Sequence, residues 1–524
     1  MSTHTPARSV RAVVSALVLA LVGLGVSACS PGSPESDACA DFKTYTAAST
    51  TSASGGVPAV TIASSLQGDD AARLEASLAN FEACTGIDVV HSSSPSLEAD
   101  LMTGSRPDLA IVPQTGLVRS LAASGALEAL PDSVNANIEL GWDRSWVQAG
   151  SQGGVNYAAP IMASVKSFVW FSPAAFSRAG YKVPNTWKEL VALTQRIATD
   201  YSAAGATPSA SPGATPSASS QPAPGTEAPQ DGTQGARGSG VTPWCLGIAD
   251  GKATGWPATD WLESALLMTR GTGAYDAWAT HEVPLDNADA VAALDLVEDL
   301  VLADGRVAGG RQATRVTTVD KALKDLVDGR CLMMLGSSSL ENYLPEGTVV
   351  TDVEGRNGTV VTATATSTGS ATRGATPSAS APALVDTGNQ VSAFLLPDDE
   401  HSGATIVGSD SLVSFVGSPA DPKVKEMLMD YLTTTSWAQE RVALGGMATA
   451  NKNVDVSSVK SDVARRASQI LQSRESVIRL DASDTMPPEV GEEALWSAMT
   501  QWTTGETSSK EALRQAEEAW PSPH

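Results

Sequence analysis

Trp244, Trp256 and Trp261 fall close together in a stretch punctuated by glycine and proline, Pro243-Trp244-Cys245-Leu246-Gly247-Ile248 and then Ala253-Thr254-Gly255-Trp256-Pro257-Ala258-Thr259-Asp260-Trp261. The chain uses twelve tryptophans against seven phenylalanines, an inverted ratio. Large indoles in such a turn-rich stretch are not obviously needed for a core. An indole face and a carboxylate are what a protein needs to hold a polyhydroxylated molecule. The ring lies against C–H surfaces and the carboxylate accepts from neighbouring hydroxyls, inside a cleft that excludes water. Trp256 is therefore a candidate stacking face and Asp260 a candidate acceptor. Trp244 and Trp261 fit a core equally well, and Asp260 also fits a helix cap.

Catalysis finds little support in the residue pattern. A glycoside hydrolase needs two carboxylates about 5 to 9 Å apart across one bond, and a pair such as Asp69-Asp70 suits the positive end of a helix just as well. No GxSxG, HExxH or P-loop occurs, and the five histidines show no ligand spacing. Without any CxxC there is no zinc site to expect. The chain reads as a non-enzyme with no cofactor and no metal. Its net charge of −24 excludes a nucleic-acid partner, because phosphate backbones need a basic surface. A neutral or cationic ligand fits better.

The amino terminus reads as an address. Arg8 and Arg11 precede an apolar run from Ala12 to Gly25, closed by Val26-Ser27-Ala28-Cys29. That run is shorter than the roughly 20 residues of a spanning helix, and small residues before Cys29 resemble a lipoprotein cleavage site. The expectation is a signal peptide over 1–28, acylation at Cys29, and a chain held on the extracellular face of the cell membrane by a tether over 29–56. Cys39, Cys84, Cys245 and Cys331 remain, an even number in an exported protein, which allows three disulfide pairings.

Two stretches, 202–240 and 362–382, consist almost wholly of Ala, Ser, Thr, Pro and Gly and cannot bury apolar surface. Ala-Thr-Pro-Ser-Ala-Ser recurs at Ala206, Ala214 and Ala375, a low-complexity expansion with no core face. Elsewhere short apolar runs alternate with helical periodicity, the sign of βαβ units and a largely parallel sheet. Strands are expected at 57–64, 87–91, 109–112, 166–171, 331–335 and 411–416. Helices are expected at 69–85, stopped by Gly86, then at 97–103, 117–124, 289–303, 318–328 and 422–432, with Thr186 capping another ahead of Glu189. In open α/β sheets, ligands collect at the carboxyl ends of the strands.

The order of these segments resembles the family 1 extracellular solute-binding proteins, two-lobed receptors of ABC importers that include maltose-binding protein. The likeness is carried by Phe81-Glu82-Ala83-Cys84-Thr85-Gly86-Ile87-Asp88-Val89, Arg106-Pro107-Asp108-Leu109-Ala110, Tyr157-Ala158-Ala159-Pro160, Lys166-Ser167-Phe168-Val169-Trp170-Phe171 and Pro184-Asn185-Thr186-Trp187-Lys188-Glu189-Leu190. A narrower likeness, to the α-glucoside receptors of that family, rests on Pro113-Gln114, the tryptophan-rich stretch and Gly329-Arg330-Cys331-Leu332-Met333.

The resemblance implies an α/β, type II periplasmic-binding-protein fold: two lobes, each a mainly parallel sheet flanked by helices, joined by a hinge of crossover segments. Lobe one would be 57–159 with 391–450. Lobe two would be 160–390, carrying both inserts, with carboxy-terminal helices over 451–524. The crossovers would lie near Ala158–Met162, Asp386–Ser392 and Gly445–Asn451. Each lobe then keeps its own disulfide, Cys39–Cys84 and Cys245–Cys331. A monomer would capture a carbohydrate, an α-glucoside or other oligosaccharide, and deliver it to permease subunits. Its contacts would come from Gln67, Asp69, Gln114, Thr115, Lys166, Trp256, Asp260, Ser337, Ser338 and Asp410, with Ser64, Ser94 and Pro487 on the rim. A receptor for a cationic solute such as a polyamine, or a secreted glycosidase, is the alternative.

Overall fold

The computed structural model describes residues 39–46, 57–203, 240–351, 384–398 and 403–521. The leader, Cys29 and most of both inserts lie outside these residues. Among the described residues no helix is long and apolar enough to cross a membrane.

Strands β1 (Ala59–Ser64), β2 (Asp88–Ser93), β3 (Leu109–Val112), β4 (Ser151–Gln152), β5 (Val155–Asn156), β6 (Ala158–Val165), β7 (Phe168–Phe171), β8 (Thr242–Trp244), β9 (Cys331–Gly336), β10 (Val349–Val350), β11 (Gln390–Leu395), β12 (Ala404–Ser414) and β13 (Val477–Leu480) follow in chain order. They form a six-stranded sheet, β13-β12-β3-β1-β2 with β6 also on β12, a five-stranded sheet, β10-β11-β7-β9-β8, and the β4-β5 hairpin. β1 pairs in parallel with β2 and β3. β7, by contrast, runs antiparallel to both β11 and β9.

Local chemistry explains the elements. In helix Gly68–Thr85, Asp69 and Asp70 occupy the first turn, where negative charge meets the positive end of the dipole. Leu74, Leu78 and Phe81 recur on one buried face. Gly86 then takes φ +72°, a left-handed cap open to glycine at little cost, and returns its N–H to Glu82 O at 2.9 Å. Cys39–Cys84 draws the amino-terminal turn onto this helix. There Phe42 and Tyr45 join Phe81 and Tyr431, whose rings stack at 5.0 Å. Each such buried aromatic contributes roughly 1.5 to 3 kcal/mol. Cys245–Cys331 ties the end of β8 to the start of β9 in the second lobe.

The hinge is built differently from expectation at one point. β11 is not a crossover: it lies inside the second sheet, with Ser392 opposite Phe171 and Leu395 opposite Phe168. The chain instead returns through β12. Its first residues pair with β13 of the second lobe, Ala404 with Val477 through Val407 with Leu480. Its last pair with β3 of the first, Ser411 with Val112 through Ser414 with Leu109. β6 runs antiparallel along both halves, and the register shifts between Asp410 and Ser411. Alongside, Ala163 of β6 forms an antiparallel bridge to Ala448.

Candidate functional site

In the first lobe, the helix Thr115–Ala123 begins two residues earlier than its periodicity predicts, with Thr115 and Gly116 already buried and Gly116 packed against Met486 of the second lobe. Gln114 is thereby its N-cap residue, at the end of β3. Gln114 is 8% exposed and Thr115 5%, yet Gln114 Oε1 and Thr115 Oγ1 have no hydrogen-bond partner. Gln67 precedes helix Gly68–Thr85 and is exposed, as is Asp69, which pairs loosely with Arg73 at 3.5 Å. Asp70, not singled out by its sequence position, is the better placed carboxylate. It is ion-paired with Arg441, a guanidinium that is 0% exposed. Ser64 Oγ bonds His91 Nε2 at 2.7 Å and Ser94 donates to Asp100 at 2.9 Å, so both already have protein partners.

In the second lobe, Trp256 is not in a loop but opens the helix Trp256–Ala279. Its indole N–H donates to Asp250 Oδ2 at 2.8 Å, and the side chain stays partly exposed. The preceding Gly255 has φ +117°, and a Cβ there would lie 2.1 Å from Trp496 O. Only glycine lets this turn sit so close to the carboxy-terminal helices. Trp244 and Trp261 are core: their rings meet edge to face at 5.0 Å and Trp244 Nε1 donates to Thr194 at 3.2 Å.

Asp260 lies one turn into the same helix, 3% exposed. It belongs to a cluster around one ammonium. Lys166 Nζ is 2.6 Å from Asp481, 3.0 Å from Asp484 and 3.5 Å from Asp260. Three carboxylates around one cation cannot all ionise cheaply out of water. Asp481 wins. Although burial opposes it, Lys166 and the surrounding hydrogen bonds hold it at about 2. Burial first, then Asp481, pushes Asp484 up to about 7. Burial, with Asp481 and Asp484 adding, moves Asp260 well above the usual carboxylate range. Lys166 therefore anchors the hinge and is already fully engaged.

Ser337 caps the turn after β9 by accepting from Ser339 N at 3.3 Å, and Ser338 Oγ accepts from Val165 N at 3.2 Å, fastening that turn to β6. Asp410 stands at the register shift of β12, where burial and the nearby Asp70 push its carboxyl up to about 7 against the pull of Lys166 and Arg441.

These shifts carry a sign. Asp484 and Asp410, each raised from 3.8 to about 7, and Glu492, raised from 4.5 to about 8 chiefly by burial, hold protons in the folded state that the unfolded chain has released. Where the folded form binds more protons, stability falls as pH rises. Asp481 acts oppositely, but its contribution is present above 3.8 and disappears only as pH falls through about 2. The solute-free protein should therefore melt at a higher temperature near about pH 5.5 than near about pH 8, and Asp484→Asn should flatten that slope. Calorimetric melts across this range that rise toward alkaline pH would reverse the assignment.

The two lobes meet around these groups. Arg73 donates to Asn342, Asn342 Nδ2 donates to Gly446 O at 2.8 Å, and Gly446 N donates to Glu341 at 2.8 Å. From the second lobe, Trp496 Nε1 and Glu492 Oε1 are also buried and unpartnered. Neither is marked by the sequence, where Glu492-Glu493-Ala494-Leu495-Trp496 reads as ordinary helix. Gln114, Thr115, Glu492 and Trp496 thus leave unsatisfied polar atoms at the inner ends of both lobes. Each such atom costs about 1 to 3 kcal/mol when buried alone.

Residues 63–251 match the family described as bacterial extracellular solute-binding protein. The chain is 29% identical over 469 residues to the osmoprotective compounds-binding protein GgtB of Synechocystis, covering 88% of this chain and 92% of that one. It is 28% identical over 481 residues to the alpha-glucosides-binding periplasmic protein AglE of Rhizobium meliloti, covering 88% and 87%. Among solved structures, the bacterial solute receptor AcbH, described as preferring β-D-galactopyranose, superposes with a TM-score of 0.64 at 14% identity, covering 88% of this chain and 98% of that one.

Proposed function

From its place among the bacterial extracellular solute-binding proteins, we infer that this chain captures a carbohydrate of the α-glucoside class between its two lobes and hands it to the permease of an ABC importer. The observation that carries this reading is the set of buried polar atoms without partners, Gln114 Oε1 and Thr115 Oγ1 on one side, Glu492 Oε1 and Trp496 Nε1 on the other. Gln114 Oε1 accepts, Trp496 Nε1 donates, and the Thr115 hydroxyl and the protonated Glu492 carboxyl can do either, so the matching ligand carries groups that both donate and accept, as sugar hydroxyls do. Trp256 offers the apolar face. The names of the relatives, alpha-glucosides among them, agree with that chemistry. In this reading the mature chain is a monomer anchored by lipid at Cys29.

Lobe closure supplies affinity, because a solute that bridges both lobes favours the closed state through contacts it makes only there. A thermal-shift panel should show stabilisation by an α-linked disaccharide, about 2.7 kcal/mol at 100 times its dissociation constant, and none by spermidine. A shift with spermidine alone would reverse the substrate class. Trp256→Ala should weaken binding of the active disaccharide by on the order of 1 to 3 kcal/mol, the apolar area of one indole face. Unchanged affinity by calorimetry would move the stacking face elsewhere.

A further inference from the structure

Gly116, Arg119, Ser120 and Ala123 recur at helical spacing on one face of Thr115–Ala123. Together with Gln152 and Pro487 they line a cavity of about 220 Å³ at the border between the lobes. Across that face runs Asp484-Thr485-Met486-Pro487 of the second lobe. A Cβ on Gly116 would lie 1.8 Å from Met486 O and 3.3 Å from Asp484 O, so the two backbones touch only because position 116 has no side chain. One turn on, the Arg119 guanidinium donates to Thr485 O, and at 3.4 Å to Ala149 O.

Three successive carbonyls of one lobe therefore face the opening turns of a helix in the other, where unsatisfied N–H groups make the end of the dipole positive. Arg119 adds a full charge to the same attraction. Among the described residues no carboxylate forms an ion pair with it, and burial moves this guanidinium downward. In a chain of net charge −24, a partly buried arginine that reaches for a carbonyl of the opposite lobe is aimed at that contact. The same turn is tied to the hinge, since Asp484 binds Lys166 at 3.0 Å.

We propose that Gly116 and Arg119 are positioning residues that latch the closed state and so set solute affinity without touching the solute. The proposal rests on the two-lobed capture reading above. A contact made only when the lobes are closed raises the closed population, and apparent affinity follows that population. Its loss should appear in the rate of solute release, with the rate of capture little changed.

The experiment compares mature protein carrying Arg119→Gln, Arg119→Lys or Gly116→Ala with the parent. Small-angle scattering is measured without sugar and with saturating maltose, and maltose binding is followed by stopped-flow tryptophan fluorescence. Arg119→Gln and Gly116→Ala should show a larger radius of gyration than the parent and release maltose about 5- to 20-fold faster. Arg119→Lys should recover part of both effects while all melting temperatures stay near the parent's. Identical radii in both conditions would overturn the latch. So would weaker binding that comes wholly from slower capture, since that places Arg119 at the entrance. If the parent binds no maltose, the sugar reading loses support while scattering still decides the latch.

Discussion

Lys166→Met lowers the unfolding free energy by about 3 to 5 kcal/mol, the range for removing one partner from a buried ion pair. The ammonium stands 2.6 Å from Asp481 and 3.0 Å from Asp484, and the carboxylates are 1% and 15% exposed. Methionine fills most of the volume, so the loss is electrostatic: Asp481, held at about 2 largely by this lysine, becomes an unpaired buried charge. Its carboxyl must then take up a proton, so the penalty grows with pH. Lys166→Met combined with Asp481→Asn should be less damaged than the sum of the two single changes, because they share one interaction. Urea denaturation at two pH values measures all four proteins of the cycle. A loss below about 1 kcal/mol for Lys166→Met would mean that water reaches the cluster and that it does not hold the hinge.

Replacing Cys245 and Cys331 together with serine should cost about 4 to 5 kcal/mol, the loop-closure entropy returned to the unfolded chain. The bond closes a sequence separation of 86 residues. Within that loop lie the helix that carries Trp256 and Asp260 and the helices Ala288–Val297 and Val319–Val327. Both sulfurs lie in the core, Cys245 1% and Cys331 0% exposed, so the serine hydroxyls add a desolvation cost. The second lobe should therefore melt ahead of the first, giving two calorimetric transitions where the parent gives one. The same substitutions at Cys39 and Cys84, with a separation of 45 residues, free only a terminal segment and should leave a single transition. A double variant at Cys245 and Cys331 that melts within a few degrees of the parent would show that the unfolded chain is already constrained by residual structure.

Much of the fold was legible because it rests on local signals. Helix Gly68–Thr85 announces itself through acidic residues at its start, an apolar face at helical spacing and a glycine at its end. The Thr186–Glu189 cap forms: Thr186 Oγ1 accepts from Glu189 N at 3.1 Å, while the Glu189 carboxylate reaches back one residue further, accepting from Asn185 N at 2.7 Å. Both disulfides form as the division into lobes implied. The site was less legible. Lys166 and Asp481 are 315 positions apart, and nothing local in either reports the other. Asp260 and Trp256 read from the sequence as part of a turn, because Gly255-Trp256-Pro257 hides the helix behind two residues that usually break one. The first half of β12 went unseen since Gly408 and its small polar neighbours are buried by β6 on one side and β13 on the other, so no alternation of polarity marks it.

The long strand β12 also fixes the order in which the molecule can be made. The first sheet needs residues 411–414 beside β3, and its core needs Leu428, Trp437 and Val442. The second lobe needs β13 on β12 and Met499, Trp502 and Leu513 in its core. Neither half can finish folding, however early its first strands appear, until residues 411–442 have emerged for the first lobe and 477–513 for the second. Contacts this distant slow collapse to the native state. A chain whose lobes stay unfinished until these distant residues arrive stays threadable for that long.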